Sequence, residues 1–187
     1  FTLGAHITEL GMDQRKVNVL ARELAPKLGF VKPIIISHHM LMGLGEPPKT
    51  ADAVERAMAM KMSKSKPETA IFMTDLPADV TKKIQKAYCP EGIVEENPIM
   101  EYCKYILFEK FSILKIERPA KFGGNLQFNS YAELETAFVE KKLHPMDLKQ
   151  SVAKHLTQLL EPVQKKLAAN KTAQKLAQEI KGFEVTR

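Results

Sequence analysis

The sequence predicts an α/β segment in residues 1–75 and a mostly helical segment in residues 76–187. The first observation is an apolar pattern of helical period that leads directly into a short apolar stretch of strand length, as in an α/β unit. The second is that apolar residues recur at helical spacing through most of the chain after Asp75. We therefore place a domain boundary near Leu76.

The first helix is predicted over Arg15 to Leu28, because its apolar side chains recur at intervals of three or four residues. These side chains are Val17, Leu20, Leu24 and Leu28. Gly29 follows as a helix stop. The next stretch, Pro33–Ser37, holds three consecutive isoleucines, a pattern typical of a strand buried on both faces of a parallel sheet.

Residues 38–68 break every periodic pattern with glycines, a Pro47-Pro48 pair and a lysine-rich string. We expect a long mobile loop here, with a short helix inside it between Thr50 and Met60. Compact domains seldom keep such loops without a functional reason.

The helical segment carries several helix-start signals, each of a type found at the first turn or cap of a helix. They are Pro77, Asn97 with Pro98, Ser130 with Glu133, and Pro145. The last helix is expected to run to Leu167, and Pro162 is expected to kink or interrupt it. Residues 113–116 are expected to form a short strand.

Composition limits the classes of protein and partner. With 187 residues and 44% hydrophobic content, the chain can bury a core. No apolar run approaches the roughly 20 residues that cross a bilayer, and the first residues do not resemble a signal peptide, so we expect a cytoplasmic protein. Cys89 and Cys103 lack the spacing of a metal site or a disulfide framework. The net charge of +6 favours a polyanionic partner.

The string Lys61-Met62-Ser63-Lys64-Ser65 is the most specific motif. On its own, a lysine-rich string would be interpreted as a solvated surface loop. All five residues match KMSKS, however, and the string is identified as the signature of class I aminoacyl-tRNA synthetases. Lysines on a flexible loop can close onto the phosphate charge that develops when an aminoacyl-adenylate forms.

Further blocks resemble tyrosyl-tRNA synthetases of the archaeal and eukaryotic type, in order and over nearly the whole chain. The blocks are Gly11–Lys16, Lys86–Pro90 with Asn97–Met100, Arg118–Pro119 with Lys121–Gly124, and His144–Lys149. This resemblance implies the C-terminal part of a Rossmann-like catalytic domain with the KMSKS loop in residues 1–75. It implies a helical anticodon-binding domain in residues 76–187.

The resemblance also implies the reaction and its partners. Tyrosine, ATP and tRNA(Tyr) would give tyrosyl-tRNA through tyrosyl-adenylate, with Mg²⁺ accompanying ATP and no metal held by the protein alone. The chain would be the C-terminal half of the enzyme and inactive by itself. The full-length protein would be a homodimer or a pseudo-dimer.

Site roles follow residue by residue from the same resemblance. The catalytic residues would be Lys61 and Lys64; ATP would be bound by Leu41, Gly43, Leu44, Met62, Ser63 and Ser65; and tyrosine would be bound by Gln14. The anticodon would be bound by Cys89, Pro90, Phe122, His144 and Asp147. Without the resemblance, Gln14 is an ordinary polar residue at a helix start, Phe122 a core anchor and Asp147 a first-turn helix acid.

Some features depart from the family pattern. The HIGH-type motif and the residues that read the tyrosine phenol would precede Phe1, and residues 45–60 form a longer connection before KMSKS than the family has. The segment Ser37–Met40 replaces a His-Asn-Pro-like segment, and we do not interpret His38 and His39 as a metal site. The alternatives are a non-catalytic tRNA- or partner-binding module, such as the drifted copy of a duplicated enzyme, and a tryptophan-specific or other nucleotidyl-transfer relative.

Overall fold

A computed structural model describes residues 1–50, 52–63 and 66–183. The chain divides into two compact units, Phe1–Leu41 and Met42–Arg187. This division differs from the boundary predicted near Leu76, which separates a catalytic part from an anticodon-binding part. The boundary near Leu76 stays a prediction. No helix in the described ranges is long and apolar enough to cross a membrane.

The first unit is a β-α-β element, which confirms the predicted order of helix and strand. Its elements are β1 (Ile7–Gly11), a 3-10 turn (Met12–Gln14), α1 (Arg15–Leu24), a second 3-10 turn (Pro26–Leu28) and β2 (Ile34–His38). The two strands are parallel, with Ile7 opposite Ile34 and Gly11 opposite His38. Gly29 ends the helical run with φ of +75°, which glycine adopts without steric cost.

Helix α1 ends at Leu24, before the predicted end at Leu28, and its apolar stripe lies on the surface. Leu20 is 54% exposed, and the residues that α1 and the following turn bury are Asn18 and Ala25. The strand prediction is also wrong in part, because Ile34 is 58% exposed rather than buried on both faces. Two strands and one helix are too few to cover both faces of a parallel ladder.

The second unit is mostly helical, as predicted. Its elements are α2 (Ala53–Met60), α3 (Pro77–Lys86), α4 (Pro98–Tyr102), a π-helical segment (Cys103–Leu107), α5 (Phe108–Lys110), β3 (Leu114–Ile116), β4 (Leu126–Phe128), α6 (Tyr131–Val139), α7 (Pro145–Ala169) and α8 (Lys171–Lys181). Strands β3 and β4 are antiparallel, with Lys115 opposite Gln127.

The predicted helix starts are confirmed by their hydrogen bonds. The Asn97 side chain accepts from the backbone N–H groups of Ile99 and Met100, and the Ser130 side chain accepts from that of Glu133. Helix α7 begins at Pro145 and continues past Pro162 to Ala169, so the proline does not interrupt it. Proline removes one backbone donor there, and the rest of a 25-residue helix remains bonded.

The core of the second unit lies between α3 and α7 and extends to the small β3–β4 sheet. Its fully buried side chains include Val80, Ile84, Ile99, Leu107, Leu114, Ile116, Leu134, Phe138, Leu148 and Val152. Leu44 joins this core, and Met62 packs against it half-buried. Leu44 precedes the connection formed by residues 45–60 and Met62 follows it, so both ends of this connection are anchored to the core of the second unit.

Candidate functional site

The start of the KMSKS string is held by backbone bonds to the turn at residues 42–44. The Gly43 N–H donates to the Met60 carbonyl at 2.6 Å, and Met42 forms an isolated antiparallel bridge with Lys61. A β-carbon on Gly43 would lie 3.3 Å from the Met60 carbonyl oxygen, closer than such contacts normally are. Glycine therefore allows the turn and the string to approach.

The described residues of the string differ in exposure. Lys61 is exposed, whereas Met62 packs half-buried against the core. The Ser63 carbonyl accepts from the Lys66 N–H at 3.1 Å. The predicted site residues Lys64 and Ser65 lie outside the described part of the chain.

The predicted site residues are divided between the two units. Gln14 and Leu41 belong to the first unit, and the other described ones belong to the second. Within the second unit, the structure brings Gly43 and Leu44 beside the KMSKS string, because the Leu44 N–H donates to the Thr69 carbonyl just after the string.

Gln14 lies at the carboxyl end of β1, the edge where open α/β sheets hold ligands. It is exposed and ends the 3-10 turn that leads into α1. A β-carbon on Gly11 would lie 2.2 Å from Met40 Sδ and 2.8 Å from Asp13 Oδ1. The tight path before Gln14 therefore depends on a glycine at the strand end.

Phe122 is not a core residue. Its side chain is 57% exposed at the end of the 3-10 turn Ala120–Phe122, and Gly123 follows with φ of +93°. The Lys121 Nζ lies 4.9 Å from the centroid of the Phe122 ring. An exposed ring beside a cation is suited to stacking on an unpaired base next to a phosphate.

Arg118 holds the Phe122 turn against the segment before α7, a role that sequence analysis did not assign. Its Nε donates to the Gly124 carbonyl at 2.9 Å, and its Nη1 donates to the Lys142 carbonyl at 3.0 Å. Lys142 is 24 residues away in sequence, so no local pattern predicts this contact. In the sequence, the only indication of this role is that an arginine lies a few residues before the Gly123-Gly124 pair.

His144 and Asp147 form the start of α7. His144 is its N-cap, and Nδ1 of the ring accepts from the Met146 N–H at 3.1 Å. Asp147 is half-buried in the first turn, where the helix dipole favours a carboxylate. The predicted first-turn role of Asp147 is confirmed, and it is compatible with contact to a ligand.

Cys89 and Pro90 lie in a turn that packs beside the same region. Gly92 in this turn has φ of +73°, and a β-carbon there would lie 3.4 Å from Lys141 Cε. The Asn97 Nδ2 donates to Cys89 Sγ at 3.5 Å. Burial raises the pKa of the Cys89 thiol, whereas the Asn97 hydrogen bond and the charge of Lys149 act in the opposite direction.

Three segments therefore converge near the start of α7: the Cys89–Gly92 turn, the Phe122 turn, and the residues that precede His144. We call these three segments, together with His144 and Asp147 at the start of α7, the α7 entry surface. The five residues predicted to bind an anticodon are all part of this set. In residues 1–50, 52–63 and 66–183, no three His, Cys, Asp or Glu side chains are grouped as metal ligands.

The family model for class I tRNA synthetases (W and Y) matches residues 1–161. Among curated proteins, a tyrosine–tRNA ligase of Thermococcus sibiricus is 45% identical over 178 residues, covering 87% of this chain and 48% of that protein. One from Saccharolobus islandicus is 43% identical over 185 residues, covering 96% of this chain and 51% of that protein.

Solved structures agree with these matches. A tyrosyl-tRNA synthetase from Pyrococcus horikoshii, complexed with L-tyrosine, superposes with a TM-score of 0.87 at 39% identity, covering 96% of this chain and 52% of that chain. A Leishmania major tyrosyl-tRNA synthetase gives a TM-score of 0.78 at 34% identity, covering 97% of this chain and 34% of its own. A tryptophanyl-tRNA synthetase from Giardia lamblia, at 23% identity and a TM-score of 0.55, shares the fold alone.

The chain spans about half the length of the curated relatives it matches. The matched residues include the KMSKS string and the whole α7 entry surface. The chain therefore belongs to the W and Y family of class I tRNA synthetases, and the curated relatives named above are tyrosine–tRNA ligases.

Proposed function

We propose that the chain is the C-terminal half of a tyrosine–tRNA ligase, and that it contributes the KMSKS loop and the anticodon contacts to that enzyme. The observation that carries the proposal is the joint presence of a KMSKS string held beside Gly43 and an exposed α7 entry surface. In the full protein, a tyrosine carboxylate oxygen attacks the α-phosphorus of ATP. The bond to pyrophosphate breaks and tyrosyl-adenylate forms. A terminal ribose hydroxyl of tRNA(Tyr) then attacks the tyrosyl carbonyl, and AMP leaves.

In this reaction, Lys61 and Lys64 stabilise the charge on the transferring and leaving phosphates. Loop lysines suit this role, because the charge they neutralise is largest in the transition state. The ATP contacts come from Leu41, Gly43, Leu44, Met62, Ser63 and Ser65. Mg²⁺ would enter with ATP and would offset phosphate charge, and no residue of this chain is assigned to hold it.

Gln14 binds the ammonium group of tyrosine through its side-chain amide oxygen. Its exposure at the carboxyl end of β1 supports this assignment, because that edge receives the ligands of open α/β sheets.

The α7 entry surface binds the anticodon. Phe122 stacks on an unpaired base, and Asp147 accepts hydrogen bonds from the Watson–Crick edge of the anticodon guanine. His144, Cys89 and Pro90 complete the surface. The partner is tRNA(Tyr) in the cytoplasm, and the full-length enzyme is a homodimer or a pseudo-dimer.

The test is the affinity of the 187-residue chain for tRNA(Tyr), measured by fluorescence anisotropy at fixed salt. Phe122→Ala and Asp147→Ala are each expected to raise Kd about tenfold, since a lost base contact costs about 1–3 kcal/mol. The matched controls are Phe183→Ala and Glu161→Ala, which alter an exposed ring and an exposed acid elsewhere. They should leave Kd within about twofold.

Equal Kd values for the wild-type chain and both α7 variants would remove those residues from tRNA recognition. The isolated chain is expected to show no tyrosine-dependent pyrophosphate exchange, and detectable exchange would contradict its assignment as an incomplete half.

A further inference from the structure

The helix before the KMSKS string lies in the connection, residues 45–60, that the resemblance predicts to be longer than in the family, and its role is not explained by the proposed function. Helix α2 runs from Ala53 to Met60, and Lys61 follows at once. Its last carbonyl, that of Met60, accepts from the Gly43 N–H. Helix α2 therefore leads directly into the first lysine of the string.

Arg56 ties the middle of α2 to the turn before α4. Its Nε donates to Glu96 Oε1 at 2.9 Å, and its Nη2 is paired with Glu96 Oε2 in a two-pronged contact. Its Nη1 donates to the Pro48 carbonyl. The Arg56 side chain is 31% exposed and that of Glu96 is 34% exposed, so the pair is partly shielded from solvent. A bidentate arginine–carboxylate pair also constrains orientation.

Glu96 occupies a constrained position. Its φ is +51°, in the left-handed region that non-glycine residues seldom adopt. The next residue, Asn97, is fully buried. The Asn97 Nδ2 donates to the Ile93 carbonyl at 2.8 Å and contacts Cys89 Sγ, so it fixes the turn that belongs to the α7 entry surface. Two residues, Asn97 and Glu96, therefore connect that turn to Arg56.

A second path joins the same two places. Asn97 caps α4, and Glu101 on α4 accepts from the Met42 N–H at 2.9 Å. Met42 in turn bridges Lys61. Both paths start at Glu96–Asn97 and end at the start of the KMSKS string. Coupling between distant sites requires such a contiguous set of contacts with an element that both sites can bias.

We propose that Arg56 and Glu96 are positioning residues that couple anticodon binding at the α7 entry surface to the conformation of the KMSKS loop. The inference rests on the proposed function, because it takes the Cys89–Gly92 turn as an anticodon contact. An anticodon base that settles on this turn biases Asn97 and Glu96, and the Arg56 pair carries that bias to α2. By linkage, a ligand that orders the loop tightens anticodon binding by the same factor.

The test is hydrogen–deuterium exchange of residues 53–63 in the 187-residue chain, with and without the isolated anticodon stem-loop of tRNA(Tyr). The short RNA lacks the acceptor end, so it cannot reach the KMSKS loop while it occupies the anticodon surface. We expect the stem-loop to slow exchange of these residues at least about threefold in the wild-type chain. Arg56→Met and Glu96→Gln should abolish the slowing while leaving stem-loop affinity within about twofold.

The matched control is Lys154→Met, which removes a surface ion pair with Glu117 whose Nζ–Oε1 distance is 2.6 Å. This variant should keep the slowing. The exchange of each variant without RNA gives its own baseline, so a helix that is merely loosened is separated from one that no longer responds.

Unchanged slowing in Arg56→Met and Glu96→Gln overturns the coupling, as does a wild-type chain that binds the stem-loop without any change in residues 53–63. Failure of the stem-loop to bind at all overturns the anticodon role together with the coupling, and the affinity measurement identifies that case.

Discussion

Asn18 on α1 is a buried polar residue with an unpaired donor. It is 6% exposed, and its Nδ2 has no hydrogen-bond partner in the described part of the chain. A buried donor without a partner costs about 1–3 kcal/mol relative to its hydrated state. Asn18→Leu, which keeps the branching and the number of side-chain heavy atoms but removes the donor, is therefore expected to raise the free energy of unfolding by about 1 kcal/mol.

Urea denaturation of the two proteins measures this difference. Asn18→Asp serves as the opposite control, since a buried carboxylate without a partner should lower stability. A loss of stability in Asn18→Leu would show that the amide is satisfied in solution.

Tyr102 gives a prediction about pH. Burial raises its pKa to about 12, and a backbone hydrogen bond with Ile71 acts in the opposite direction. The unfolded chain titrates near 10, so between about pH 10 and 12 the folded state holds a proton that the unfolded state has lost. Stability from this group is complete below pH 10 and falls as pH rises.

Between pH 9.5 and 11.5, the wild-type chain is expected to lose about 2 kcal/mol more stability than Tyr102→Phe. Urea midpoints at the two pH values provide the comparison, in which other titrating groups cancel. Equal losses in the two proteins would show that the Tyr102 phenol titrates normally.

At the scale of single elements, the predictions that succeeded depend on neighbours in sequence. Asn97 and Ser130 were recognised as caps because a capping side chain bonds to an N–H two or three residues away. The tie from Arg118 to Lys142 and that from Arg56 to Glu96 span 24 and 40 residues. Periodicity contains no information about such contacts, so the contacts on which the proposed coupling rests emerged only from the structure.

The orientation of α1 shows the limit of an apolar pattern. The spacing of Val17, Leu20 and Leu24 correctly predicts a helix with one apolar face, whereas Leu28 lies in the 3-10 turn that follows. It does not say what covers that face, and in this chain the face is exposed. The KMSKS string shows the same limit. Its residues indicated a phosphate-binding loop, but only the structure showed that Lys61 is exposed and that Met62 is half-buried against the core.

For the whole molecule, the exposed apolar surface of the first unit is the clearest feature. Ile7, Ile34 and Ile36 lie on one face of the β1–β2 ladder and are each 48–60% exposed. Parallel sheets are normally covered on both faces. The relatives are about twice as long as the region that matches this chain. The portion of a full-length protein that corresponds to the unmatched part of these relatives is therefore expected to cover this surface and the α1 stripe.

Leu20→Asp tests this expectation, because its effect should depend on context. In the isolated 187-residue chain, Leu20 is 54% exposed, and the substitution is expected to change Tm by less than about 2 °C. In a chimera that joins the unmatched portion of the Thermococcus sibiricus ligase to this chain, a charge would enter an apolar interface. Tm should then fall by about 5 °C or more.

Leu176→Asp on α8, where the leucine is 51% exposed, should have little effect in either protein. Calorimetry of all six proteins gives the comparison. If Leu20→Asp shifts Tm equally in both contexts, or if it converts a dimer of the isolated chain into a monomer, the remaining catalytic domain is not what covers α1.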